Sequence, residues 1–214
     1  MNEMLVFGTL STINAIAMSY HIDQQGIIPD CAYNMSVNHD PLNLPPYTIR
    51  LLYRDGVTPE FYYGTAVQVS NSPNVWDLTY NNRTWGSLLI THLDLLKVLG
   101  ANTTDVINMS RMFWGCNNLN SVSLFDTSNV TDMSEMFNGC RSLPSVLLFN
   151  TSKVKHVQGM FYNCRNVESG ALALYNQLIT QTVPPIDYDH TFYNCGINTT
   201  TGAEELAQIP DDWK

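Results

Sequence analysis

Charge is scarce in this sequence. Asp, Glu, Lys and Arg make up 14% of its 214 residues, and the basic share is the smaller one, 10 against 19 acidic. The formal charge of -9 repels a phosphate backbone, and no Lys/Arg cluster concentrates the opposite sign, so nucleic acid is not expected as a partner. Long apolar runs are lacking too. Residues 4–10 and 13–18 are apolar, but Gly8, Thr9, Ser11, Thr12 and Asn14 interrupt them, and Glu3 stands where a secretory signal carries positive charge. Neither a signal peptide nor a membrane span is expected. The stretch reads as an arm that docks on a partner subunit, or as a strand or helix packed on the chain's own core. Glycine-rich phosphate loops are missing, since Gly100, Gly115, Gly139, Gly159 and Gly170 stand singly. The five cysteines include no CxxC pair, which leaves no metal-ligand spacing and no cofactor to expect.

What is present is a hydrophobic fraction of 44%, enough for a globular core. The polar surface is built largely from Asn, Thr and Ser, residues suited to turns. Laid against itself, the chain repeats. INMSRMFWGCNNLNSVSLFDTSNV, TDMSEMFNGCRSLPSVLLFNTSKV and KHVQGMFYNCRNVESGALALYNQL align without a gap. Met112-Phe113 returns as Met136-Phe137 and Met160-Phe161, and Cys116 as Cys140 and Cys164, each step being 24 residues. A degenerate fourth copy holds Thr191-Phe192 and Cys195, after a step of 31 residues that places an insertion of 7 near Gln177 to Pro185. Upstream, Val98 precedes Val122 and Val146 in the same register.

A fixed period of this length is the signature of stacked repeats, each burying its apolar face against its neighbours. Met133, Met136, Phe137 and Cys140 fall at i, i+3, i+4 and i+7, predicting a short helix that ends at Gly139. Ser145 to Leu148 predict a strand, followed by a polar turn. The fold class expected is α+β: a short leucine-rich-repeat-like solenoid of 24-residue coils, preceded by a small β-rich leader module. The divisions are an N-terminal arm or anchor (1–40), the leader module (41–90), the repeats (91–200) and a C-terminal cap (201–214). Within the leader, strands are expected at residues 48–53, 65–70 and 75–80, with turns at Asp55-Gly56 and around Asn71. In the cap, AEELAQIPDDW offers a short helix, and Trp213 covers the last coil.

The core VTDMSEMFNGCRSLPSV, with Met-Phe followed by Cys and Leu, resembles the BspA-type leucine-rich repeat, the short repeat also found in mycoplasma lipoproteins and in surface proteins of gut bacteria. The elements PYTIR, DG and NVWDLTY resemble the leader module that precedes such repeats in proteins encoded by gut bacteriophages and prophages. Cellular members of the repeat family imply a secretory signal and a surface anchor, and the chain shows neither. The resemblance therefore implies a non-enzymatic virion component assembled in the host cytoplasm, a fibre-like head or tail appendage. Its N-terminal region would bind other virion proteins, as a homo-oligomer. The alternative is a bacterial cell-surface adhesin or protein-interaction module.

The markers Met112, Phe113, Cys116, Met136, Phe137, Cys140, Met160, Phe161, Cys164, Phe192 and Cys195 are read as core, the thiols buried and reduced. The residue after each Phe, namely Trp114, Asn138, Tyr162 and Tyr193, lies beside the buried face. Its three aromatics, Trp114, Tyr162 and Tyr193, either form a partly exposed strip that contacts a host glycan or protein, or pack between coils. Ser123 and Leu147 mark a second outward face. No catalytic residue is expected. Asp187 and Asp189, before His190, read as an acidic turn after Pro184-Pro185, with a cation site or a glycan-cleaving carboxylate pair as the alternatives.

Overall fold

A computed structural model describes residues 20–23, 26–29, 43–85 and 92–214. The N-terminal arm lies almost wholly outside the described residues, as does Cys31; within it, β1 (Tyr20–Asp23) and β2 (Gly26–Pro29) form an antiparallel hairpin. A mixed sheet follows, made of β3 (Thr48–Tyr53), β4 (Gly64–Gln68), β5 (Val75–Tyr80), β6 (Leu95–Asn102) and β7 (Ser121–Val122) in the order β4-β5-β3-β6-β7. Strand alternation explains the leader. Ile49, Leu51 and Tyr53 point to one face and are buried, as are Leu78 and Tyr80 opposite them. The other face carries the cross-strand pair Arg50 and Asp77, joined by two hydrogen bonds of 2.6 and 2.7 Å.

β6 pairs with β7 in parallel, and this direction continues as single bridges from rung to rung: Thr84 with Asn108, Asn108 with Asp132, Asp132 with His156, His156 with Asp187. The rungs are residues 108–116, 132–140, 156–164 and 187–195. The expectation of a leucine-rich-repeat-like solenoid of helix-and-strand coils is overturned here. Among the described residues the regular structure beyond the β1–β2 hairpin is the five-stranded mixed sheet with two short α-helices, α1 (Ala171–Thr180) and α2 (Thr200–Ala207), and no helix forms on the Met-Phe segments. The strand expected at Ser145 to Leu148 is reduced to a bridge between Ser145 and Ser169.

The physical reason lies in where the backbone donors go. In a helix every N–H would reach four residues back. Here Met109, Arg111, Phe113 and Gly115 donate forward to Asp132, Ser134, Met136 and Asn138, at 2.7–2.9 Å, while Met112, Trp114 and Cys116 close tight turns onto residues three back. Each rung holds two left-handed residues that make such turns possible. The first series is Arg111, Glu135, Gly159 and His190 (φ 54–60°), the second Gly115, Gly139, Asn163 and Asn194 (φ 55–78°). Consecutive turns still point Met133, Met136, Phe137 and Cys140 inward, so the periodicity of a helix is met without one.

Stacked rings and short polar side chains hold the rungs. Phe113, Phe137, Phe161 and Phe192 form a buried file with centroid separations of 5.2, 5.1 and 6.3 Å. The buried Thr103 and Thr127 donate their hydroxyls to the carbonyls of Asp126 (2.5 Å) and Asn150 (2.9 Å) one repeat on, which uses the Thr and Asn in which the sequence is rich. α1 replaces the end of the third repeat, burying Ala171, Leu174 and Leu178. Gln177 therefore lies inside a helix, and the exposed loop after it carries Val183 and Ile186. Glu205 of α2 accepts from the N–H groups of Gly170 and Leu172 at the start of α1, a favourable place for a carboxylate. Trp213 closes the far end, stacking on Tyr188 at 4.4 Å while its carbonyl accepts from Phe192 N–H at 2.9 Å.

Candidate functional site

Each rung carries one side chain directly after its buried Phe, and parallel pairing sets these four in a file: Trp114, Asn138, Tyr162, Tyr193. Adjacent rungs lie roughly 4.8 Å apart, and the rings of Tyr162 and Tyr193 stack at 4.8 Å with an interplanar angle of 17°. His190 meets both edge-on, at 6.3 and 5.5 Å. Trp114 is 50% exposed and Tyr193 37%, whereas the Phe beside each is fully buried. Asn138 interrupts the aromatic series between Trp114 and Tyr162.

Beside this file the column Arg111, Glu135, Gly159, His190 runs in register. Arg111 bonds Glu135 at 2.7 Å across one rung. The next position has no side chain, and there the surface opens into a groove of about 260 Å³ lined by Glu135, Asn138, Gln158, Gly159, Tyr162 and His190. A Cβ on Gly159 would sit 3.3 Å from Glu135 Cγ and 3.8 Å from Tyr162 Cβ, so the glycine keeps the floor clear as well as accommodating φ 60°. The amides of Asn138 and Gln158 and the phenols of Tyr162 and Tyr193 make no hydrogen bond within the described residues.

Asp187 lies 3.4 Å from His156 Nδ1 and Asp189 2.9 Å from His190 Nδ1, each on its own imidazole. Among the described residues no group of three His, Cys, Asp or Glu is placed to hold a metal ion.

Met112, Met136 and Met160, Phe113, Phe137, Phe161 and Phe192, and Cys116, Cys140, Cys164 and Cys195 are all fully buried. The four thiols are free; Cys140 and Cys164 donate to the carbonyls of Phe113 and Phe137. Burial in apolar surroundings pushes Cys164 up to about 12 and the other three upward as well, so none is a ready nucleophile.

The second face lies one residue away from the positions named for it. Leu147 is half-buried against the core, and the exposed apolar pair is Leu124 (46%) and Leu148 (50%). An open hollow of about 550 Å³ adjoins Leu148, between residues 148–152 and Gln177, Thr180 and Gln181. Its polar groups are already engaged with one another, Gln177 donating to Phe149 and Thr151, and Thr151 donating to Gln181.

Residues 91–196, just under half of the chain, match the family described as Mycoplasma protein of unknown function, DUF285. The match supports a BspA-like repeat protein. Comparison with curated proteins and with solved structures gives no match. No helix among the described residues is long and apolar enough to cross a membrane. Glu135, Asn138, Gln158 and His190 were not anticipated as a groove. The 24-residue period does align the column, and the glycine within it is the signal that could have shown the gap.

Proposed function

We propose that the chain is a non-enzymatic recognition protein whose contact surface is the file Trp114, Asn138, Tyr162, Tyr193 with the groove at its side. The observation that carries this reading is the coincidence of exposed rings, unengaged side-chain amides and an open floor on one face of the stacked rungs. Sites of this kind hold a ligand by aromatic contact and convergent polar groups. Burial of the four thiols and the separate pairing of Asp187 and Asp189 support a binding role over a catalytic one.

The address proposed is a bacteriophage virion, in which a fibre-like homo-oligomer attaches through its N-terminal region to other virion proteins and turns the repeats outward to a host glycan or protein. Its support is the likeness of PYTIR, DG and NVWDLTY to a phage leader module. Purified particles should contain the chain, and the isolated chain should be larger than a monomer in solution. Finding it instead on the outer surface of uninfected cells would move the address to the alternative, a bacterial surface adhesin. Binding to bacterial cell envelopes should be lost in the double variant Tyr162→Ala, Tyr193→Ala, and retained binding there would refute the recognition surface.

A further inference from the structure

The lining of the groove is chemically one-sided. It holds two side-chain amides, one phenol, one imidazole and one carboxylate, and no lysine or arginine. The carboxylate of Glu135 uses one oxygen for Arg111, and the Nδ1 of His190 is on Asp189, so the cation and the imidazole nearest the groove each already face a carboxylate of the chain. Asn138 and Gln158 each present a donor and an acceptor, the pairing that a hydroxyl group, itself donor and acceptor, can satisfy twice. An anionic ligand would find no lysine or arginine among the lining residues, would compete with Glu135 for Arg111 at the rim, and would enter against the net charge of -9.

The end of the stack supplies the apolar half of the site. In the first three rungs every forward-pointing N–H of the ladder meets a carbonyl of the next rung. In the last rung only that of Phe192 does, on Trp213, and those of Tyr188, His190 and Asn194 have no acceptor among the described residues. No rung follows Tyr193, so no further ring stacks on it as it stacks on Tyr162. A ring so placed, beside the free N–H groups of its own rung and roughly 9.6 Å, two rungs, from Asn138, offers a platform for the C–H face of one sugar of a chain whose next units cross Tyr162 into the groove.

Resting on the recognition surface proposed above, we infer that its ligand is a neutral oligosaccharide, seated on Tyr193 and Tyr162 and hydrogen-bonded by Asn138 and Gln158, and that acidic glycans are excluded. The test uses the full chain on an array of neutral, sialylated and uronate-containing oligosaccharides, followed by titration of the strongest neutral binder. Neutral oligosaccharides should bind and acidic ones should bind at least tenfold more weakly. Tyr193→Ala should weaken neutral binding about tenfold, the size of one aromatic contact. Gly159→Ser, which fills the floor, should abolish it, with an unchanged far-ultraviolet circular dichroism spectrum and a cooperative urea transition showing that each variant folds. Should Gly159→Ser not fold, Asn138→Ala takes its place with the same expectation. Equal or stronger binding of acidic glycans, or neutral binding indifferent to Tyr193, overturns the inference. If no saccharide binds yet envelope binding is lost in the double tyrosine variant, the saccharide claim fails and the recognition surface stands; if envelope binding is also unaffected, both fail.

Discussion

Glu135 separates a ladder of turns from a helix by the sign of one stability difference. Its φ is 54°, where an L residue pays about 1–2 kcal/mol over glycine. Comparing Glu135→Gly with Glu135→Ala cancels the exposed Arg111 contact, because both variants lose it equally. Glycine also gives up more freedom on folding than alanine, about 0.4–1 kcal/mol, so the net advantage of Gly over Ala at this position is about 1 kcal/mol. In a helix interior the order reverses, and Ala exceeds Gly by about 1 kcal/mol. The assay is urea unfolding of both variants. Gly159, the same position one rung on, gives the converse control: Gly159→Ala should cost about 1 kcal/mol or more, since its Cβ also crowds Glu135. Ala at 135 more stable than Gly by 0.5 kcal/mol or more would refute the turn assignment.

Further outcomes follow from the packing. Phe137, stacked between Phe113 and Phe161 and fully buried, should cost about 3–5 kcal/mol as Phe137→Ala, lowering the melting temperature by roughly 6–20 °C. Thr127→Val keeps the shape but strands the Asn150 carbonyl, and a loss of about 1–3 kcal/mol in denaturant unfolding is expected. The thiols are protonated and buried, with folded pKa raised above the unfolded value, so their contribution is complete below about pH 9 and declines as pH rises toward 12. Each contributing cysteine steepens that fall by about 1.4 kcal/mol per pH unit, to be read as urea midpoints against pH, while a thiol reagent at pH 8 should leave all four unmodified until the chain unfolds.

The leader was legible because half-buried strands alternate. The strands foreseen at 48–53 and 75–80 form there, and the third begins one residue early, at Gly64, and stops at Gln68. The repeat period was legible as well, since Phe, Cys and Met must return to the same wall of the core. The conformation within each repeat was not. Spacing at i, i+3, i+4 and i+7 fits both a helix and a run of turns, and Arg111 and Glu135 adopt left-handed backbone without being Gly or Asn, so they carry no local mark. Gly139 does carry one, but a helix end and a turn both ask for glycine there. Helix α1 is legible in ALALYNQLIT, whose Leu174 and Leu178 share a face, but the 24-residue register sets the start of this segment against the second repeat's Ser145 to Leu148 and so masks it. The groove depends on a missing side chain at Gly159 between two rungs, a property of the stack rather than of any single segment.

The most direct test of the recognition surface is hydroxyl-radical footprinting of the full chain, free and bound to bacterial cell envelopes, with oxidation read residue by residue. Binding should protect Trp114, Tyr162 and Tyr193 and leave Leu124, Leu148 and Val183 as reactive as in the free chain. Protection of Leu124 and Leu148 with the tyrosines still oxidised would place the contact on the second candidate face and contradict the account.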